Sequence, residues 1–174
     1  MTQATIPDPT AADDALGSDA VVSDGLIAMS GLTVAASPSI FIANGSLAVD
    51  FVVRNLSATT FDADARFWIV TAYGARIAEI DDVQVDALEP DETRRVKVVF
   101  EGLGQNILLR VHATLTPPET LEGNDLAPIS RDTTAVVPPW FSLSVASAVG
   151  LVSWFGWWLF RNRGLGLSLL RMGG

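Results

Sequence analysis

The sequence predicts an all-β domain, an antiparallel β-sandwich, followed by a single C-terminal transmembrane helix. Three observations carry this prediction. Between residues 29 and 137, short runs of alternating apolar and polar residues are separated by Gly, Pro, Asn and Asp, with no helical periodicity between them. The stretch from Trp140 to Phe160 contains no charged residue, and at about 1.5 Å per residue a helix of that length spans roughly the 30 Å hydrocarbon core of a bilayer. All 20 Asp and Glu residues precede that stretch, and Arg161, Arg163 and Arg171 follow it.

Residues 1–28 are acidic and rich in Pro, Ala and Asp, and they offer too few large apolar side chains to offset the entropy of ordering. They read as a disordered linker. The β texture starts with Ile27 to Ala35, which ends at Ala36-Ser37-Pro38. After a turn at Asn44-Gly45, Leu47, Val49, Phe51 and Val53 alternate with Ala48, Asp50, Val52 and Arg54, the period of a strand with one buried face. The run Ala65 to Tyr73 is apolar on both faces, which suits a central strand and makes Trp68 the expected core aromatic. Tyr73-Gly74-Ala75 turns the chain. Arg76 to Ile80 pairs back, and Val83 to Leu88 leads into Glu89-Pro90-Asp91-Glu92, a turn with Pro at a favoured position. Val96, Val98 and Phe100 alternate with Arg95, Lys97 and Val99, and Gly102 and Gly104 break that strand. Ile107, Leu109, Val111 and Ala113 alternate with Leu108, Arg110, His112 and Thr114. Residues 119–130 read as a loop, and Thr133 to Val137 as a last edge strand.

Residues 138–161 form the expected span and 162–174 a basic tail. Pro138 and Pro139 punctuate its start. Eight bases against 20 acids leave the part before the span at −12, while the tail carries +3. Arg131 is the only base shortly before the span, so the positive-inside rule places the tail in the cytoplasm and the domain outside a plasma membrane crossed once. Trp140 falls at the outer interface, and Trp154, Trp157 and Trp158 fall toward the inner one, where indoles prefer to lie. These four tryptophans with Arg161 and Arg163 are the candidate membrane anchor. Ser142, Ala146 and Gly150 recur every four residues and form a candidate helix-packing face.

Composition excludes several classes of function. The net charge of −9 and the lack of a Lys/Arg cluster interleaved with aromatics argue against nucleic acid as a partner, and the charge also argues against the domain lying flat on an anionic leaflet. With no cysteine there is neither a disulfide framework nor a thiolate metal centre. The lone His112, at an alternating strand position beside Arg110, reads as an ordinary strand residue, and one histidine does not supply a zinc site. Asp62 with Asp64 and Asp81 with Asp82 lack the spacing of a calcium loop and read as solvated turn acids. Gly102-x-Gly104 opens into a strand, so it is not a phosphate loop. No Gly-x-Ser-x-Gly occurs. Asn44-Gly45-Ser46 and Asn55-Leu56-Ser57 match the glycosylation sequon, but a turn accounts for each. No Leu-Pro-x-Thr-Gly precedes the apolar stretch, so the anchor is expected to remain a membrane helix. No enzyme activity and no cofactor are expected.

The segment Leu47 to Asn55 (LAVDFVVRN), followed by Leu88-Glu89-Pro90-Asp91-Glu92 before Val96-Lys97-Val98, resembles bacterial immunoglobulin-like adhesion modules. Asp91 stands where that pattern usually has Gly. The further order of a Pro-rich stretch, Trp140, one span and an Arg-rich tail is similar to the end of actinobacterial surface proteins related to the WxL-interacting family. The resemblance covers about residues 28–163 and implies an Ig-like module just outside a C-terminal anchor, with no binding residues carried over.

The expected function is that of a non-catalytic spacer or binding module of a cell-surface protein, in contact with the lipid bilayer and with a protein or cell-wall partner outside it. The alternative is an accessory subunit docked into a larger membrane complex through its Trp-rich helix. Residues 1–28 carry five acids, no Lys or Arg and no apolar core, the reverse of a signal peptide. An exported domain then implies a fragment of a longer protein or a leader already removed. A tail-anchored cytoplasmic domain is the third reading.

Overall fold

The computed structural model describes residues 1–37, 45–103, 108–137 and 140–163, with the backbone alone described at 140–142, 162 and 163. Asn44, Gly104, Ile107, Pro138, Pro139, Arg171 and the rest of the tail beyond residue 163 lie outside the described residues. Among the described residues twelve strands and two helices follow in order: β1 (Thr2–Thr5), α1 (Pro9–Leu16), β2 (Val21–Ser23), β3 (Ile27–Met29), β4 (Thr33–Ser37), β5 (Ser46–Asn55), β6 (Phe61–Thr71), β7 (Arg76–Leu88), β8 (Thr93–Glu101), β9 (Leu108–Thr116), β10 (Thr120–Leu121), β11 (Asn124–Asp125), β12 (Ile129–Val136) and α2 (Trp140–Arg163).

Two antiparallel sheets make a sandwich. One runs β1-β8-β5-β3-β2 with β4 also on β5, and the other runs β12-β9-β6-β7. The alternation read from sequence sets which residues face inward. Leu47, Val49, Phe51 and Val53 of β5 and Val96, Val98 and Phe100 of β8 meet Phe67 and Ile69 of β6 and Leu109, Val111 and Leu115 of β9 in one buried cluster. Phe51 and Phe67 stack across the sheets with ring centroids 5.5 Å apart. The predicted first strand is split in two. Ser30 interrupts it, its N–H donating to Val52 O and its hydroxyl accepting from Val52 N–H, while β3 and β4 both stay on β5. The last strand starts at Ile129, earlier than predicted, and β10 and β11 form a small hairpin inside the expected loop.

The two runs on either side of Asp81-Asp82 are a single strand, β7, kinked by register shifts against β6. Asp82 and Ala87 take positive φ, 55° and 46°, at two of these irregularities. Asp62 Oδ1 accepts from Ala87 N–H at 2.6 Å and holds one of them. Since β7 is an edge strand, such bulges and its acidic side chains discourage pairing with another chain.

Residues 1–28 differ from the disordered linker expected. β1 pairs with β8, Thr2 opposite Lys97. Asp8 caps α1 by accepting from Thr10 N–H at 2.9 Å, with Pro9 at the first turn. Ala12 and Leu16 are buried on the outer face of the first sheet, where Leu16 packs with Ala28 and Val52. Arg54 joins α1 to the sheet through Asp13 at 2.7 Å. The few apolar residues of this segment suffice because the sheet, rather than the segment itself, supplies most of the surface they cover.

Candidate functional site

α2 is 24 residues long, and its apolar part, Leu143–Arg161, is exposed throughout, with none of it covered by the sandwich. By length and composition this helix is long and apolar enough to cross a membrane. Trp154, Trp157 and Trp158 are all exposed at its C-terminal end. Arg161 lies over the Trp157 ring at 5.1 Å, and Phe155 stacks on Trp158 with centroids 5.9 Å apart, which groups aromatics and a cation at one level of the helix. Ser147 donates to Leu143 O at 2.8 Å, so its hydroxyl is satisfied within the helix. Ala146 and Gly150 are exposed. The side chains of Trp140, Ser142 and Arg163 lie outside the described residues.

The outer face of the β12-β9-β6-β7 sheet carries a second cluster that sequence reasoning missed. Trp68 is half-exposed there, not in the core, because it alternates with Phe67 and Ile69 and shares a face with Asp64 and Arg66. His112 is its cross-strand partner, and the two rings stack with centroids 5.1 Å apart and planes 10° from parallel. Arg76 and Arg66 stand over the indole at 5.7 and 6.0 Å. Both donate to Glu79, Arg76 at 2.8 Å to Oε2, and Arg66 also reaches Asp81 at 2.6 Å. The Arg76 and Arg66 guanidiniums hold the Glu79 carboxyl below the usual glutamate range. The signal that would have found this cluster is strand register, since Trp68, Glu79 and His112 are far apart in sequence and adjacent across the sheet.

At the opposite end from α2, Asn55 is fully buried and joins two loops. Its Nδ2 donates to Leu88 O at 2.9 Å and Thr59 O at 2.8 Å, and its Oδ1 accepts from Ser57 N–H at 2.8 Å and the Ser57 hydroxyl at 2.6 Å. The Asn55-Leu56-Ser57 sequon is therefore a turn lock whose amide is committed. In the neighbouring turn, Glu92 N–H donates to Glu89 O at 3.0 Å and Asp91 takes φ 60°, the conformation for which Gly is preferred at that place. Glu92 sits beside Arg94 at 2.8 Å. Burial pushes its carboxyl up, but the Glu89 N–H, the Thr5 hydroxyl and Arg94 outweigh this and leave it below the usual range.

Among the described residues, no group of three or more His, Asp and Glu side chains is placed to hold a metal ion. Asp62, on β6, is engaged with the Ala87 N–H and Asp81, on β7, with Arg66, so these acids stand on strands and not in the turns expected for them.

No protein-family model matches the chain, and no curated protein matches it in sequence. Among solved structures it is similar to the ApaA protein from Bordetella pertussis, at TM-score 0.48 and 13% identity over 67% of this chain and 95% of that one. It is also similar to the CARDB domain of a Pyrococcus furiosus protein, solved with di-metal ions, at TM-score 0.40 and 16% identity over 67% and 98%. A β-glucuronidase from Bacteroides uniformis matches at TM-score 0.44 and 19% identity over 59% of this chain and 13% of the enzyme. What is shared is a distant likeness to Ig-like and CARDB-type sandwiches, and a fold of this kind hosts many functions.

Proposed function

We propose that this chain is a non-catalytic, membrane-anchored β-sandwich, held outside the membrane with its tail in the cytoplasm, that serves as spacer or binding module of a cell-surface protein. The observation that supports this most directly is α2, an apolar helix with no cover that follows the last strand of a sandwich. The charge distribution supports the orientation, because three arginines follow the span and a domain of net −12 precedes it. The resemblance to the ends of WxL-related surface proteins fits the same arrangement.

A charged residue at a helix centre costs about 2.5 to 3.5 kcal/mol on insertion scales, so Gly150→Arg or Val149→Asp should sharply reduce membrane retention. Recovery of the unmutated chain in the soluble fraction after a carbonate wash would refute the anchor. External protease on intact cells should release the domain and leave the tail protected; a domain shielded until lysis would reverse the orientation. Exchanging residues 140–160 for an unrelated apolar span should preserve function in a spacer. Loss of a stoichiometric membrane partner on that exchange would favour an accessory subunit docked through the helix.

A further inference from the structure

Val137 is buried in the sandwich core and Trp140 is already helical. Three peptide steps of about 3.8 Å each hold the start of α2 within about 11 Å of Val137. The end of the sandwich from which β12 leaves therefore lies close to whatever surface the helix enters. Strand register shows what else is at that end. Val136 is opposite Leu108, Ala135 opposite Leu109, and Leu109 opposite Thr71, so the β6–β7 turn that follows Thr71 lies two strands from the exit, about 10 Å at the usual strand spacing.

Among the described residues, the β6–β7 turn and the last β9–β12 pair at this end expose apolar side chains. Tyr73, the only tyrosine of the chain, is 98% exposed at the tip of that turn, and Val136 and Leu108 are 63% and 41% exposed as a cross-strand pair on the outer face. The next row away from the exit is basic, with Arg110 and Arg76 both opposite Val70. Arg76 is engaged with Glu79, whereas Arg110 makes no ion pair among the described residues. Acids gather at the far end, in the turns that carry Asp24, Glu89, Asp91, Glu119 and Glu122. Glu101, on the other sheet, is the acid at the exit end among the described residues.

We propose that the exit end of the sandwich rests on the phospholipid interface, with Tyr73, Leu108 and Val136 at the boundary of headgroups and acyl chains and Arg110 at the level of the phosphates. This rests on the anchor reading above. The order of side chains, apolar and aromatic first and cationic next, matches the order of layers met on leaving a bilayer. An anionic surface repels the acidic far end and attracts the basic row, which holds the sandwich upright instead of flat. The consequence is a defined pose: the acidic turns point away from the membrane, at the height available to a partner.

The test uses the full chain reconstituted into vesicles of phosphatidylcholine and phosphatidylglycerol. Because the chain has no cysteine, Ala75→Cys and Glu122→Cys each provide one attachment point for an environment-sensitive fluorophore. A chain that fails to float with the vesicles overturns the anchor and this contact with it. For a chain that floats, the label at residue 75 is expected to emit at shorter wavelength and to resist a water-soluble quencher, while the label at 122 behaves as in water. Adding Tyr73→Ser with Leu108→Ser should return the first label toward aqueous emission. A label at 75 as exposed to water as the one at 122 overturns the contact and leaves the anchor standing.

Discussion

Asn55 is the side chain whose loss the sandwich should tolerate least. It is fully buried, and replacing it with Ala removes four hydrogen bonds and takes from the buried Leu88 O and Ser57 N–H the partner that Asn55 gave them; Thr59 O keeps its bond from the Ser57 hydroxyl at 2.9 Å. Each buried group left unsatisfied costs about 1–3 kcal/mol, so two of them together cost at most about 2–6 kcal/mol. That is a large share of the roughly 5–15 kcal/mol available to a domain, and it should lower the melting midpoint by about 10–20 °C. Ser57→Ala keeps the backbone bond to Asn55 Oδ1 and should cost only about 1 kcal/mol. Asn55→Asp should be at least as damaging as Asn55→Ala, because it turns a carboxylate oxygen toward Leu88 O in a dry setting. Thermal unfolding of the full chain in mild detergent, followed by the β-sheet circular-dichroism band, measures the series. Equal shifts for Asn55→Ala and Ser57→Ala would refute the reasoning.

Three further outcomes are expected. Phe67→Ala should cost about 3–5 kcal/mol as a buried aromatic in the inter-sheet stack, whereas Trp68→Ala should cost no more than about 1.5 kcal/mol, the scale of an aromatic pair; the same melts decide this, and a steeper loss for Trp68 would put it back in the core. Asp91→Gly should stabilise by about 0.5–1 kcal/mol by relieving a positive φ in the 89–92 turn, and a drop in midpoint would show that the Arg54 contact at 3.6 Å outweighs the backbone. The folded pKa of Glu92 lies below its unfolded value of about 4.3, so its contribution is complete above that pH and is lost as pH falls through the lowered folded value. Glu92→Gln should therefore flatten the acid limb of a stability–pH curve, and an unchanged limb would exclude Glu92 as a source of it.

Much of the sandwich is local information. Alternation alone puts Leu47 to Val53, Val96 to Phe100 and Leu109 to Leu115 on the inward face, because side chains on a strand point to opposite sides in turn. The apolar span and its flanking charges are equally local, since bilayer thickness sets the length needed. Asn55 and the Pro90-Asp91 turn were legible as turn residues, though the amide that joins their two loops was not.

What tertiary structure decided depends on partners distant in the chain. Two-sided apolar character marks β6 as an inner strand without saying which face the second sheet covers, and only the packing of Phe67 on Phe51 leaves Trp68 outside with His112. Residues 1–28 look disordered by their own composition, yet β1 finds its hydrogen bonds on β8, and Leu16 of α1 finds its cover on Ala28 and Val52. The grouping of Tyr73, Leu108 and Val136 beside the anchor follows from register between strands joined by long excursions of chain. A one-dimensional pattern specifies periods; which of two faces is covered, and which strands lie side by side, is set by the free energy of the assembled sheets.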